Sequence, residues 1–222
     1  MKKIAFLLAS MGLAAAAQGA TISFQYGLPI VQATTEINQT GLLGLFNPAL
    51  GTLTGASLTY QSAATTTITL TNRAAQNQNA RAASEMEILW SSSIASLTPL
   101  LAAPAMIMNF STGAAQSYTP GQSRTFGPLT DSDSITQNLN SILASLVGVG
   151  TFGLTCESLT GLTVTGGGGN VRGAQSTTAG CGAAITYTYT PTPPTRTPEP
   201  GSLALVGMAA AGLGVAARRR KA

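Results

Sequence analysis

Alternation with a period of two constrains this chain more than any other feature. In Ala184-Ile-Thr-Tyr-Thr-Tyr-Thr190 the residues Ile185, Tyr187 and Tyr189 fall on one face and Thr186, Thr188 and Thr190 on the other. Such a pattern suits a half-buried strand and no helix, because successive side chains of a strand point to opposite faces. Thr66-Thr-Ile-Thr-Leu-Thr71 repeats it with Ile68 and Leu70, and Thr21–Tyr26 does so with Ile22, Phe24 and Tyr26. Leu53, Leu58 and Tyr60 mark a further strand, with Gly55 a bulge candidate. Residues 31–39, 86–92, 106–110, 122–126, 162–165 and 170–178 are further strand candidates, punctuated by Gly, Pro and Asn, with Gly166–Gly169 as a turn. One segment departs from the pattern. Ile135, Leu139, Ile142, Leu143 and Leu146 recur at helical spacing behind Asp133 and Ser134, which predicts a short helix over 134–147 capping one end. The fold expected is all-β, an antiparallel β-sandwich with one short helix.

Both ends of the chain read as addresses. Lys2 and Lys3 precede an apolar stretch, Ile4–Ala17, followed by small residues, the pattern of a secretory signal peptide cut between Ala17 and Thr21. At the other end Pro198-Glu199-Pro200 precedes an apolar run, Ser202–Ala217, closed by Arg218, Arg219, Arg220 and Lys221. As a helix that run spans about 24 Å, short of a hydrocarbon core of about 30 Å. The terminal cations hold it on the cytoplasmic side, so the body faces outward. The organisation expected is a signal peptide over 1–20, a β-sandwich over 21–190, a Pro/Thr spacer over 191–197 and a sorting segment with a transmembrane helix over 198–222.

Composition narrows the chemistry. The chain carries 11 Lys and Arg against 7 Asp and Glu, a net +4. Six of those cations are Lys2, Lys3 and Arg218–Lys221, which belong to the addresses. The body keeps Arg73, Arg81, Arg124, Arg172 and Arg196 against six carboxylates, with no Lys and no His. Without a basic stripe it is no nucleic-acid binder. Without His it has no familiar catalytic triad, and Gly166–Gly169 lacks the Lys of a phosphate loop. The expectation is a non-enzyme with no cofactor and no metal. Cys156 and Cys181 allow a single intramolecular pairing, and export favours a disulfide over two free thiols.

Four groups of residues are candidate sites. Glu85 and Glu87 share one strand face and could act as acid and base on a glycoside, against the plainer reading of a solvated face. Asp131 and Asp133 offer oxygen ligands to calcium, against a helix-capping loop. Trp90, Tyr118, Tyr187 and Tyr189 could stack on sugars, against core packing. Asn38-Gln-Thr40 and Asn109-Phe-Ser111 match the glycosylation triplet.

The tripeptide, apolar run and cation cluster of the C-terminus together resemble a PEP-CTERM sorting signal. The resemblance implies export in a Gram-negative bacterium, transient retention in the inner membrane, processing by an exosortase near Pro198–Pro200, and delivery to the cell surface or matrix. A second stretch, Asn47-Pro-Ala-Leu-Gly-Thr-Leu-Thr-Gly-Ala-Ser-Leu-Thr59, is similar to the early segment of the choice-of-anchor E domain, and Thr186–Pro191 looks like that family's last strand. That family implies a surface domain with no assigned catalytic residues. The role expected is structural or adhesive within extracellular polysaccharide; a carbohydrate-binding module is the alternative and a hydrolase the third.

Overall fold

The computed structural model describes residues 19–102, 105–193 and 208. The chain divides into two units, Met1–Pro191 and Thr192–Ala222, and nearly all described residues lie in the first. Its strands are β1 (Ala20–Tyr26), β2 (Ala33–Thr34), β3 (Asn38–Gly44), β4 (Gly51–Asn72), β5 (Gln78–Ser92), β6 (Met106–Ser111), β7 (Gln116–Tyr118), β8 (Ser123–Asn138), β9 (Thr151–Gly166) and β10 (Val171–Pro191). A four-residue helix, α1 (Thr98–Leu101), and three 3-10 turns complete it.

Two antiparallel sheets form. The first runs β1-β10-β4-β8 with β2 on β10, and the second runs β3-β9-β5-β6 with β7 on β5. Alternation decides which side faces the partner sheet. On β4 the residues Leu58, Tyr60, Ser62, Ala64, Thr66, Ile68 and Leu70 point inward and are buried, while Thr59, Gln61, Thr65, Thr67, Thr69 and Thr71 point outward. On β5, Met86, Ile88 and Trp90 face them from the other sheet. The main core joins these residues to Leu43, Phe46, Met106, Met108, Ile185 and Tyr187. A smaller cluster of Ile68, Leu70, Ala80, Ala82, Tyr118 and Val171 fills the far end.

Several bonds sew the sheets together, among them a disulfide and two tyrosine hydroxyls. Cys156 of β9 is joined to Cys181 of β10 across the core, with Cα atoms 6.6 Å apart. The Tyr187 hydroxyl of β10 donates to the Gly44 carbonyl of β3 at 2.9 Å. The Tyr26 hydroxyl of β1 donates to the Leu154 carbonyl of β9 at 3.2 Å.

The strands outrun the expected segments. β4 is 22 residues long and joins two stretches read separately from the sequence. It pairs with β10 from Gly51↔Pro191 to Asn72↔Val171, a span of about 70 Å at 3.3 Å per residue. One irregularity interrupts the ladder: Thr188 faces Gly55 and Tyr189 faces Leu53, so Thr54, beside the expected Gly55, is the extra residue. Residues 31–39 yield only the two-residue β2 and the start of β3.

The helix expected over 134–147 does not form. Residues 134–138 end β8, and Asn140–Leu146 is a 3-10 segment kinked at Ile142. Ile135 packs inward from the strand, and Leu139 and Leu146 are buried from the turn, so the apolar spacing arises from two elements in series. The signal helix and the transmembrane helix expected at the two ends fall almost wholly outside the described residues; among those described, no helix is long and apolar enough to cross a membrane.

Candidate functional site

The outward face of the first sheet is a grid of small hydroxyls. Thr59 of β4 lies beside Thr136 of β8 with their oxygens 2.9 Å apart, and Thr69 beside Thr125 at the same distance. Ser23 of β1 pairs with Thr186 of β10 at 2.8 Å. Each pair uses one hydroxyl hydrogen internally and leaves the other, with several lone pairs, to solvent.

On the outward face of the second sheet Glu85 and Glu87 lie along β5 with Leu89, flanked by Leu159 of β9 and Ile107 of β6. Gly161 sits opposite Glu85 and leaves a shallow depression of about 340 Å³ with Ala83, Asn109 and Thr163. A neighbouring one of about 320 Å³ is lined by Glu85, Glu87, Leu159 and Gly161. The carboxylates stand side by side on one strand with no opposing wall. That is the solvated face, and it differs from glycosidase geometry, in which two carboxyls flank the scissile bond.

Asp131 and Asp133 do not form a helix-capping loop; they lie within β8, half-buried. Asp131 Oδ2 accepts from the Asn109 amide of β6 at 3.1 Å, which ties the edges of the two sheets. Asp131 Oδ1 and Asp133 Oδ1 accept from the following amides at 2.8 and 2.7 Å. Among the described residues no group of three His, Cys, Asp or Glu could hold a metal ion.

The described aromatic side chains pack in or against the core. Trp90 is buried edge-on to Tyr60 at 5.3 Å. Tyr118 and Tyr187 are fully buried, and Tyr189 tilts against Phe46 at 5.2 Å. Burial pushes the phenols of Tyr26, Tyr60, Tyr118 and Tyr187 above their ordinary value; Asp133 adds to this at Tyr60, while Arg124 opposes it at Tyr118.

One grouping escapes a reading along the sequence. Arg73, Arg81, Arg124 and Arg172 all sit at one end of the sandwich and all are exposed. Arg172 is opposite Thr71 and Arg124 opposite Leu70, on the two strands that flank β4. Arg81 is opposite Thr165 at the matching end of the second sheet, and Arg73 follows directly on β4. The Arg124 guanidinium lies 5.3 Å from the Tyr118 ring centroid and donates to Gln116 Oε1 at 2.7 Å. Beneath them the buried Asn72 ties the turns together: its amide nitrogen donates to the carbonyls of Gln76 and Tyr118 at 2.9 Å, and its oxygen accepts from the Ala74 amide at 2.8 Å. The available signal was position, since each arginine lies next to a turn rich in Asn, Gln or Gly.

The C-terminal site residues, Pro198, Glu199, Pro200 and Arg218–Lys221, lie outside the described residues. The family model of the PEP-CTERM protein-sorting motif matches residues 196–221. The motif implies an exported protein transiently anchored in the membrane, with an exosortase as its processing partner. No curated protein matches the chain. Among solved structures, a chain of desmodium yellow mottle tymovirus is 11% identical over 89% of this chain and 100% of its own, with a TM-score of 0.20. A chain of infectious bursal disease virus, Gt strain, is 9% identical over 88% of this chain and 47% of its own, also at 0.20. At such scores the fold assignment rests on the strand registers alone.

Proposed function

We propose that this protein is a structural or adhesive component of the bacterial surface or extracellular matrix, held in the inner membrane by its C-terminal segment until an exosortase cuts near Pro198–Pro200. The sorting motif at 196–221 carries the reading. The inter-sheet disulfide, suited to an oxidising compartment, supports it, as does the uncharged hydroxyl face of the first sheet. The body acts by binding and not by catalysis, for its paired carboxylates stand on an open strand face. It is a domain of the choice-of-anchor E type, and its weakly charged surface offers little like-charge repulsion to association.

The test is a deletion strain carrying either the wild-type chain or Glu199→Ala. Wild type is expected to restore biofilm cohesion and to be released without Arg218–Lys221, as read by mass spectrometry. Glu199→Ala is expected to accumulate uncut in the membrane fraction. Released protein that still carries its arginines, or normal cohesion in the deletion strain, refutes the proposal.

A further inference from the structure

The four arginines of the sandwich share one end, and the chain leaves toward its sorting segment from the other. Pro191 pairs with Gly51, whereas Asn72 and Val171 mark the opposite end of the same two strands. No carboxylate among the described residues sits beside the arginines. The nearest along a strand is Glu85, four residues beyond Arg81 and about 13 Å away. Glu36, Glu87, Glu157, Asp131 and Asp133 lie further down the sandwich. A domain whose described charges sum to minus two therefore concentrates all its described positive charge on one tip.

Resting on the reading of a matrix protein, we infer that this tip binds an acidic, carboxylate-bearing polysaccharide. Guanidinium groups form paired hydrogen bonds with carboxylates, a geometry an ammonium cannot reproduce, and the tip uses no lysine. Asn72 fixes the turns beside Arg73 and Arg124, while Arg172 and Arg81 stand on the outward faces of the first and second sheets at the same end. Around Arg172 the outward hydroxyls of Thr69, Thr71, Ser123 and Thr125 supply the donors and acceptors that sugar hydroxyls require. A single-stranded nucleic acid would need exposed aromatics for its bases, and the tip's Tyr118 is buried.

The experiment measures binding of the exported, processed protein, freed of Lys2, Lys3 and Arg218–Lys221, to immobilised polygalacturonate, with neutral dextran, dextran sulfate and a DNA duplex in parallel. Wild type is expected to bind polygalacturonate most tightly, to ignore neutral dextran, and to be released by salt on the order of 0.3 M. Arg73→Gln/Arg81→Gln/Arg172→Gln, which leaves the Arg124–Tyr118 contact intact, is expected to weaken binding by about tenfold or more. Glu85→Gln/Glu87→Gln changes net charge away from the tip and is expected to leave affinity within about twofold. Equal binding by the triple variant, indifference of wild type to polygalacturonate, or tighter binding to DNA or dextran sulfate overturns the inference. A triple variant that is cut and reaches the matrix normally separates the two proposals, since release tests only the sorting route.

Discussion

Removal of the Cys156–Cys181 bridge is the most direct test of the fold. The bond closes a sequence separation of 25 residues and joins the two sheets through the core, where Cys156 is fully buried and Cys181 nearly so. Closing a loop of that length removes about 12 cal/mol/K from the unfolded chain, or about 3.5 kcal/mol at room temperature. For a domain of this size each kcal/mol moves Tm by about 2–4 °C, so Cys156→Ala/Cys181→Ala is expected to unfold about 7–14 °C below wild type. Lost sulfur packing adds about 1 kcal/mol, as a small core cavity does. A wild-type sample unfolded with reductant and refolded without reoxidation separates the two terms, because it keeps the sulfur atoms and loses only the crosslink. Thermal unfolding followed by circular dichroism, with thiol quantification on the unfolded exported protein, gives both readings. Two titratable thiols in the exported protein, or a double variant melting within about 2 °C of wild type, would refute the reasoning.

Further outcomes follow from single groups. Tyr187→Phe deletes the buried bond to the Gly44 carbonyl and is expected to cost about 1–3 kcal/mol in urea unfolding, whereas Tyr60→Phe removes a buried hydroxyl with no partner and is expected to be neutral or stabilising. Burial raises four of the chain's five tyrosines, so the fold favours the protonated phenol. Stability is expected to be intact below about pH 10, where unfolded tyrosines still hold their protons, and to fall as pH rises above it, with phenolate absorbance appearing together with unfolding. Gly41→Ala would push a methyl into the Tyr26 ring and is expected to lower the urea midpoint by an amount worth about 1–3 kcal/mol; Gly161→Ala meets open space and is expected to change it little.

The outward and inward faces of the strands were legible because Thr alternates with a bulky apolar residue near the strand ends, as in Ile68/Leu70 and Ile185/Tyr187/Tyr189. The length of β4 was not, because its middle turns Ser62, Ala64 and Thr66 inward, small or polar residues that read as loop. They are tolerated there because the Thr66 hydroxyl bonds that of Thr177 at 2.7 Å and the Ser62 hydroxyl donates to Met106 Sδ at 3.3 Å. The misread helix has the opposite cause: Ile135, Leu139, Ile142, Leu143 and Leu146 fit a period of 3.6 although a strand and a turn share them. The disulfide followed from counting cysteines. The arginine tip could not be read, because Arg73, Arg81, Arg124 and Arg172 come to share one end only once β4, β5, β8 and β10 are set in register.

The place of β10 between β1 and β4 governs how the molecule carries load. A pull on its C-terminal end runs parallel to the strand and across hydrogen bonds perpendicular to it, from Pro191 down to Val171. Force is then shared in shear among rungs that must fail together, where a strand tugged from a sheet corner would peel away one rung at a time. A tether gripping the end near Pro191, with a ligand gripping the far end, loads the body in its strongest direction.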